Sequence, residues 1–345
     1  MKQFSGYMHG INLGGWFSQC DHTKERYDTF ITEKDFETIR SWGLDHVRIP
    51  VDYNLTEDPE GRYLEEGFAY IQTAIDWCGR YGLNMVLDLH KAFGYSFDKG
   101  ENESGLFDTP SYQERFCRLW EEFAGRFGRY EDRLAFELLN EVTDPSYSDK
   151  WNALSSECIR RIRAIAPSIR ILVGGYHNNG IDALPDLAMP ADENVIYNFH
   201  CYEPLIFTHQ GADWISGMDT SFRMPLASSY REYAENSRKQ LGASGAHIVP
   251  VDEFGPELPF GPEYFERYVS QAVAVAEERN VALYCGEFGV INLASPEDTL
   301  SWYRMICSVF DRFGIGRAAW SYKEMDFGLS DPHMRSVIGD VLNVM

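Results

Sequence analysis

The sequence predicts an α/β fold, a (β/α)8 TIM barrel of eight parallel strands with helices outside. Eight short apolar runs that suit buried strands alternate with segments of helical periodicity, and no linker or break in composition divides the 345 residues. The alternative, a doubly wound open sheet, normally carries a glycine-rich phosphate loop after its first strand. Gly14 and Gly15 lack the G-x-G-x-x-G spacing of that loop, so the sequence does not favour a dinucleotide site.

Each predicted strand is a short run of strand-forming residues that stops at a polar residue, a glycine or a proline. In the fourth run, F-E-L-L-N-E-V, the apolar part ends in an Asn-Glu pair, and Thr143, Asp144 and Pro145 cannot continue a strand. The runs are, in order, Met8–Leu13, His46–Pro50, Asn84–His90, Phe136–Val142, Ile169–Gly175, Val195–His200, Ala282–Glu287 and Arg317–Trp320.

Helices are predicted between these strands where apolar residues recur at three- and four-residue intervals. Thr32 opens the first, with Asp35 three residues later as the second half of a capping box, and Phe68, Ile71 and Ile75 form the apolar stripe of the next. The predicted helices after the first are Glu65–Arg80, Tyr112–Phe127, Lys150–Ile165, Ile181–Leu187, Pro262–Glu278, Pro296–Arg312 and a terminal helix from near Pro332.

The connection between the sixth and seventh strands is the longest, and only its later part has a helical pattern. We therefore expect residues 203–261 to form an inserted subdomain within the single catalytic domain of residues 1–345. Because it follows a strand, it rises from the face that holds the strand ends. Its aromatic residues either pack on one another or wall one side of a cleft: Phe207, Trp214, Phe222, Tyr230, Tyr233, Phe254 and Phe260.

The charge balance limits the partners. Lys and Arg number 31 and Asp and Glu 53, which gives a net charge of −22 with no basic run. Nucleic acid and anionic membranes are therefore not expected to bind, whereas a neutral substrate is not repelled.

The seven cysteines form no C-x-x-C pair and are expected to be mostly buried free thiols. The chain starts without an apolar signal core, so we expect a cytoplasmic protein, and a monomer.

The polar residues at the strand ends are the candidate active site. In this fold the carboxyl ends of the strands form the catalytic face, and two runs deliver a glutamate there, Glu141 and Glu287. Cleavage of a glycosidic bond requires two carboxyl groups close together, one as acid and one as nucleophile or base. The other strand-end candidates are Asn12, Arg48, His90, Asn140, His177, Asn178, His200, Tyr202 and Trp320.

The motifs H-V-R-I-P, D-L-H, L-L-N-E, F-H-C-Y, Y-C-G-E-F-G and A-A-W-S-Y resemble those of glycoside hydrolase family 5, whose barrels carry catalytic glutamates on strands four and seven. The resemblance runs from Gly10 to Phe327. The stretches G-I-N-L-G-G-W and Y-K-E-M-D-F are also similar to the family's bacterial intracellular β-glucanases. The resemblance implies a retaining endo-acting hydrolase of β-1,4 or mixed-linkage β-glucan that uses no cofactor and no metal.

The resemblance also implies roles for the catalytic residues. Glu141 is expected to be the general acid/base, because a nearby nucleophile carboxylate makes it hold its proton more tightly. Glu287 is expected to be the nucleophile, kept ionised by donors from Arg48 and Tyr202. His200 is expected to lie against Glu141.

The remaining predicted residues are expected to hold the substrate. Asn140 is expected to bond the sugar 2-hydroxyl, where hydrogen bonds strengthen at the transition state. His90 is expected to bond another hydroxyl, and Trp320 to form the floor under the reacting ring. Further substrate contacts are expected from Asn12, Trp16, His177, Asn178, Phe207 and Lys323.

The sequence alone is also compatible with other functions. An exo-acting glucosidase or 1,3-glucanase would result if the inserted segment closed one end of the cleft, and the residues do not distinguish β-glucan from β-mannan. A carbohydrate-binding protein without catalysis would lack one of the two glutamates, and both are present. A metal enzyme would show ligand spacing such as H-E-x-x-H, which does not occur in the sequence.

Overall fold

Eight parallel strands close into a barrel in sequence order, and β1 pairs with both β2 and β8. The computed structural model describes residues 1–98, 101, 103–242 and 251–345. This closed topology confirms the predicted (β/α)8 barrel. The strands are β1 His9–Asn12, β2 His46–Asp52, β3 Asn84–Lys91, β4 Leu134–Glu137, β5 Arg170–Val173, β6 Val195–Cys201, β7 Ala282–Phe288 and β8 Gly316–Ala319.

The barrel interior changes from apolar to polar along the strands, because every second residue faces the same side. On β3, Val86 belongs to an apolar cluster inside the barrel. Asp88 and His90 follow at two-residue steps on the same side of that strand. On β6, Asn198 and His200 occupy the corresponding positions. Buried polar side chains are thereby concentrated toward the carboxyl ends, where the site lies.

The longer helices pack outside the strands and bury the second side of the sheet, and short helices lie on the connections between strands and helices. They are α1 Lys24–Thr29, α2 Glu33–Ser41, α3 Glu65–Tyr81, α4 Pro110–Phe127, α5 Ser148–Ile165, α6 Tyr176–Asn179, α7 Leu205–Thr208, α8 Tyr230–Leu241, α9 Val251–Phe254, α10 Pro262–Arg279, α11 Pro296–Phe313 and α12 Ile338–Leu342. Short 3-10 helices span Tyr53–Leu55, Gly128–Tyr130, Pro145–Tyr147, Ile181–Asp186 and Pro332–Met334.

The helix starts and ends follow local chemistry. The backbone N–H of Thr32 donates to Asp35 Oδ2 at 2.7 Å, which is the reciprocal half of the predicted capping box before α2. Helix α3 ends at Gly82 in the left-handed conformation, with φ of 66°, which suits a residue without Cβ. The segment predicted as helix from Ile181 is a 3-10 helix that contains Pro185, which has no N–H to donate.

The prediction for the fourth strand was wrong in its bounds. Strand β4 starts at Leu134, two residues before the predicted run, and ends at Glu137. The backbone N–H of Asn140 donates to Leu89 O of β3 at 3.1 Å, and Glu141 adopts a φ of 43°, so this part of the chain is no longer an extended ladder. The Asn-Glu pair therefore lies on the loop beyond the strand.

The long connection after β6 contains α7, α8 and α9, and residues 243–250 of it lie outside the described residues. Tyr230, Tyr233 and Phe260 are buried and contact one another through their rings. Trp214, in contrast, is an exposed aromatic side chain. That residues 203–261 form a separate subdomain stays a prediction.

Two smaller predictions concern the cysteines and the membrane. All seven cysteines are free and six are buried, which confirms the prediction; Cys20 is half-buried. Within the parts of the chain that the structure describes, no helix combines the length and the apolar character that a membrane crossing requires.

Candidate active site

A cavity of about 1110 Å³ opens over the carboxyl ends of the strands. Its walls come from loops after several different strands, as expected for the catalytic face of this fold. Nine of the predicted site residues line it: His90, Asn140, Glu141, His177, Asn178, His200, Tyr202, Glu287 and Trp320.

Glu287 is held by two donors. It lies near the end of β7, where the register with β8 is irregular between Cys285 and Phe288. The Arg48 guanidinium donates from Nη1 to Glu287 Oε1 at 2.8 Å, and the Tyr202 hydroxyl donates to Oε2 at 2.9 Å. Burial and the charge of Glu287 raise the pKa of Tyr202, so the phenol keeps its proton and donates it. The two contacts fix the orientation of the Glu287 carboxylate.

Glu141 has a different environment. Asn178 donates from Nδ2 to Glu141 Oε2 at 2.8 Å, and His200 Nδ1 lies 2.8 Å from Oε1. Burial raises the pKa of the Glu141 carboxyl, and the Asn178 hydrogen bond opposes that rise. A raised pKa was expected from the charge of the second glutamate, whereas burial of Glu141 is the largest cause.

His200 links the two glutamates. Its Nε2 accepts from the Asn179 side chain at 3.2 Å, so in this hydrogen-bond network the ring proton is on Nδ1 and points to Glu141. Burial lowers the pKa of His200 to about 4, which keeps the ring neutral at ordinary pH. Glu141, His200 and Glu287 each offer an atom within 4.8 Å of the others.

Arg48 is itself fixed from below by buried acceptors. Glu137 accepts from Nε and Nη2, both at 2.7 Å, and Asp88 Oδ2 lies 3.0 Å from Nη2. Asn140 Oδ1 also accepts from Nη2 at 2.9 Å. Burial raises the pKa of Asp88 to about 8 despite the Arg48 charge. The planar guanidinium thus has one orientation, which points Nη1 at Glu287.

His90 and Trp320 lie side by side in the cavity wall. Their rings are nearly parallel, with an interplanar angle of 4° and centroids 5.8 Å apart. Asp88 Oδ2 is 2.6 Å from His90 Nδ1, so Nε2 is the ring nitrogen that a ligand can reach. The pair offers a flat apolar surface next to a hydrogen-bonding group, which suits a sugar ring.

Four residues predicted to contact substrate are not among the described residues that line the cavity, and their contact with substrate stays a prediction. Asn12 is buried and donates its amide to backbone carbonyls of β7 and β8, while its Oδ1 accepts from Arg48. Trp16 and Phe207 are buried in the hydrophobic core. Lys323 points to Asp35, with Nζ 3.4 Å from Oδ1. These side chains support the site or the fold.

Sequence reasoning missed several buried polar residues that orient the site: Asp88, Glu137, Asn179 and Asn198. Asn198 donates to Glu137 Oε1 at 2.7 Å. The signal was present for three of them, because Asp88, Glu137 and Asn198 interrupt otherwise apolar strand runs. A charged or amide side chain inside a buried strand needs a partner, and here the partners form the layer below the glutamates.

Among the described residues, Glu141, His200 and Glu287 are also the group whose spacing could hold a metal ion. Its surroundings favour a different role. Glu287 already accepts from the Arg48 guanidinium, and Glu141 accepts from Asn178. A guanidinium 2.8 Å from one carboxylate would repel a cation placed on that same group.

A barrel with two closely spaced, differently held carboxylates on its catalytic face is the arrangement that one class of protein uses, the glycoside hydrolases. The model of the cellulase family, glycosyl hydrolase family 5, matches residues 7–326. The chain belongs to glycosyl hydrolase family 5, and it is an enzyme of the cellulase type.

Similar proteins agree with this assignment. The chain is 46% identical to cellodextrinase A of Ruminococcus flavefaciens over 317 residues, which cover 92% of this chain and 86% of that protein. It is 38% identical to endoglucanase C of Acetivibrio thermocellus, with 97% of both chains covered. The structure of endoglucanase Cel5A from Thermotoga maritima superposes with a TM-score of 0.76 at 25% identity, covering 98% of this chain and 97% of that one.

Proposed function

We propose that the protein is a retaining hydrolase that cleaves internal β-1,4 or mixed β-1,3-1,4 linkages of β-glucan. The observation that carries the proposal is the pair Glu141 and Glu287, which offer oxygens within 4.8 Å of each other in unequal environments. Retaining enzymes place the two carboxyl groups roughly 5–5.5 Å apart, whereas inverting enzymes leave about 6.5–9.5 Å for a water. The close spacing supports retention.

In the first step, Glu141 gives its proton to the glycosidic oxygen as the bond from that oxygen to the anomeric carbon breaks. A carboxylate oxygen of Glu287 forms a bond to the same carbon, so the products are a glycosyl ester and a free leaving-group sugar. Burial raises the pKa of Glu141, which keeps the proton available. Arg48 and Tyr202 donate to the Glu287 carboxylate and hold it in place for the attack.

In the second step, Glu141 is a carboxylate and accepts a proton from a water. The water oxygen bonds to the anomeric carbon as the ester bond to Glu287 breaks, and Glu287 recovers its negative charge. Two displacements at one carbon restore the original anomeric configuration. The raised pKa of Glu141 favours its taking the proton back, so the same residue acts as acid and then as base.

The substrate class rests on the relatives. The similar proteins are named cellodextrinase and endoglucanase, and Cel5A of Thermotoga maritima has been solved in complex with cellobiose and with mannotriose. A neutral β-linked glycan is also compatible with the net charge of −22. β-Mannan is therefore the main alternative polysaccharide. A cytoplasmic location, a monomeric state and independence from metal and cofactor stay predictions.

The test is digestion of lichenan followed by viscometry and chromatography, with carboxymethylcellulose, laminarin, mannan and nitrophenyl β-glucoside in parallel. Early loss of viscosity with release of oligosaccharides is expected for internal cleavage. Glucose as the sole early product at unchanged viscosity would refute endo action and favour the exo-acting alternative. Binding of these glycans without any hydrolysis would instead identify a carbohydrate-binding protein.

A further inference from the structure

We propose that Asn198 is a positioning residue for the nucleophile: its amide holds strand β7 in place at Gly286 and so sets the direction in which the Glu287 side chain points. The inference rests on the proposed function, because it takes Glu287 as the group that attacks the anomeric carbon. Asn198 is fully buried on β6 and is not among the described residues that line the cavity. It therefore acts on the reaction through other groups.

Strand β7 contains an extra residue directly before Glu287. In the register of β6 with β7, Phe199 lies opposite Cys285. The next residue of β6, His200, lies opposite Glu287, so Gly286 is an extra residue in this register. Such an insertion is a β-bulge, which bends the strand and changes the direction of the side chains beside it. The geometry of the bulge therefore decides where Glu287 points.

Both backbone polar groups of Gly286 are bonded by buried asparagine side chains. The Gly286 N–H donates to Asn198 Oδ1 at 2.9 Å, and Asn12 Nδ2 donates to Gly286 O at 2.9 Å. A bulge disrupts the hydrogen-bond ladder locally, and buried backbone groups that lose ladder partners need others. The two amides are such partners, and they favour one geometry of the bulge.

The two amides also connect this backbone to the Arg48 guanidinium. Asn198 Nδ2 donates to Glu137 Oε1 at 2.7 Å, and Glu137 accepts from Arg48 Nε and Nη2. Asn12 Oδ1 accepts from Arg48 Nη1 at 2.9 Å. The same nitrogen donates to Glu287 Oε1 at 2.8 Å. The backbone before Glu287 and the cation that holds its carboxylate are thus fixed relative to each other by two routes.

The Asn198 amide fits its place in one orientation and at close range. The Gly286 N–H can only donate, and Glu137 accepts from the guanidinium, so the amide oxygen faces Gly286 and the amide nitrogen faces Glu137. A Cβ on Gly286 would lie 2.7 Å from Asn198 Oδ1, so a larger residue there would displace the amide. An apolar side chain in place of Asn198 would leave a buried N–H without this acceptor.

Asn198 is a better residue to change than Asn12. Asn12 bonds Arg48 directly, so its loss would also alter the nitrogen that holds Glu287, whereas the Asn198 amide bonds Gly286 and Glu137.

Asn152, on α5, provides a matched control. Its amide also bonds two partners, accepting from Ala188 N at 2.8 Å and donating to Asp186 O at 2.7 Å. Within the part of the chain that the structure describes, Asn152 lies outside the cavity lining. Loss of its amide therefore removes two similar hydrogen bonds without touching the strand that carries Glu287.

The experiment measures kcat and KM of Asn198→Leu, Asn198→Asp and Asn152→Leu on cellotetraose and on an activated aryl cellobioside, with the folded fraction taken from thermal unfolding. Asn198→Leu is expected to lower kcat roughly 10- to 100-fold on both substrates with little change in KM, because a misplaced nucleophile slows the attack whatever the leaving group. Asn198→Asp keeps the oxygen that accepts from Gly286 and is expected to show a smaller loss. Asn152→Leu is expected to keep the wild-type kcat.

Several results would overturn the assignment. They are a wild-type kcat in Asn198→Leu, a loss confined to KM, and an equal loss of kcat in Asn152→Leu, which would indicate general loosening of the fold. If Asn198→Leu does not fold, a wild-type kcat in Asn198→Asp contradicts the proposal. Failure of the wild-type enzyme to hydrolyse either substrate would refute the proposed function and this inference with it, whereas hydrolysis with equal kcat in the variants would refute the inference alone.

Discussion

The Arg48 guanidinium lies within hydrogen-bonding or ion-pair distance of three carboxylates, those of Asp88, Glu137 and Glu287. Buried ions are costly unless they are paired, and one cation cannot fully compensate three anions. Burial accordingly raises the pKa of Glu137 and of Asp88, the latter to about 8. At the scale of the residue, one buried guanidinium is therefore shared by three carboxyl groups, and it orients Glu287.

Residue type and strand-end position were enough to predict the groups that meet in the cavity, because parallel strands bring their ends to one rim. They were not enough to predict the partners that Asn12, Trp16 and Lys323 have in the structure. Sequence places a residue after a strand but does not show which partner its side chain reaches. Asn12, for example, uses its amide on backbone carbonyls left open between β7 and β8.

The role of Glu141 is tested by its removal. Glu141→Ala is expected to slow glycans with poor leaving groups by roughly 100- to 10,000-fold, and activated aryl glycosides far less, because an activated aryl group departs without protonation. Steady-state rates on both substrate types check this. Glu131→Ala, on an exposed glutamate, is the control. Equal losses on both substrates would remove Glu141 from the acid role.

Asn178 is predicted to set the upper pH limit of activity through the pKa of Glu141. Its hydrogen bond stabilises the Glu141 carboxylate and lowers the pKa of that group, so its loss leaves the pKa higher. The enzyme needs Glu141 protonated in the first step; Asn178→Ala should therefore move the basic limb of the kcat/KM profile to higher pH. His177→Ala is a matched control, since both residues have positive φ and His177 bonds Asp182 instead. A basic limb that moves down or stays in place contradicts the assignment.

At the scale of the element, the loops after the strands carry reacting side chains such as Glu141, and the strands determine where these loops begin. Glu141 is four residues past the end of β4 and adopts a φ of 43°. The helix termini were predictable because caps and apolar stripes are local signals. The end of β4 was not, because Leu138 and Leu139 are as apolar as a strand requires while their pairing depends on neighbours distant in sequence.

Gly14, on the connection after β1, is predicted to be required for the position of Trp320. A Cβ at Gly14 would lie 2.8 Å from the Trp320 ring, so Gly14→Ala must displace the ring or the loop. We expect a loss of roughly 10- to 100-fold in kcat/KM, as for other small misplacements in active sites. Gly125→Ala is the matched control, because its Cβ meets nothing within 4 Å and α4 should gain about 0.5–1 kcal/mol.

Both variants are compared by thermal unfolding and by kinetics on the same oligosaccharide. The prediction requires the activity loss in Gly14→Ala to exceed any change in the folded fraction. Full activity in Gly14→Ala would show that Trp320 can shift without consequence, and would contradict its expected place under the reacting ring.

At the scale of the whole molecule, the barrel was predictable because strand and helix periods alternate eight times and no phosphate-loop spacing follows the first strand, which disfavoured an open sheet. The structure of the segment after β6 was less predictable from the sequence. Its aromatic content is compatible with packing on itself or against substrate, and in the structure Tyr230 and Tyr233 are buried whereas Trp214 is open to the cavity. Such a division depends on tertiary contacts that the composition of the segment does not encode.

The central claim is that Glu287 forms a glycosyl ester and that the anomeric configuration is retained. The most direct measurement is proton NMR of the anomer formed first from a β-glucan oligosaccharide, recorded before mutarotation equilibrates the product. The spacing of Glu141 and Glu287, with oxygens within 4.8 Å, predicts the β-anomer as the first product. An initial α-anomer would contradict the double displacement and with it the assigned role of Glu287.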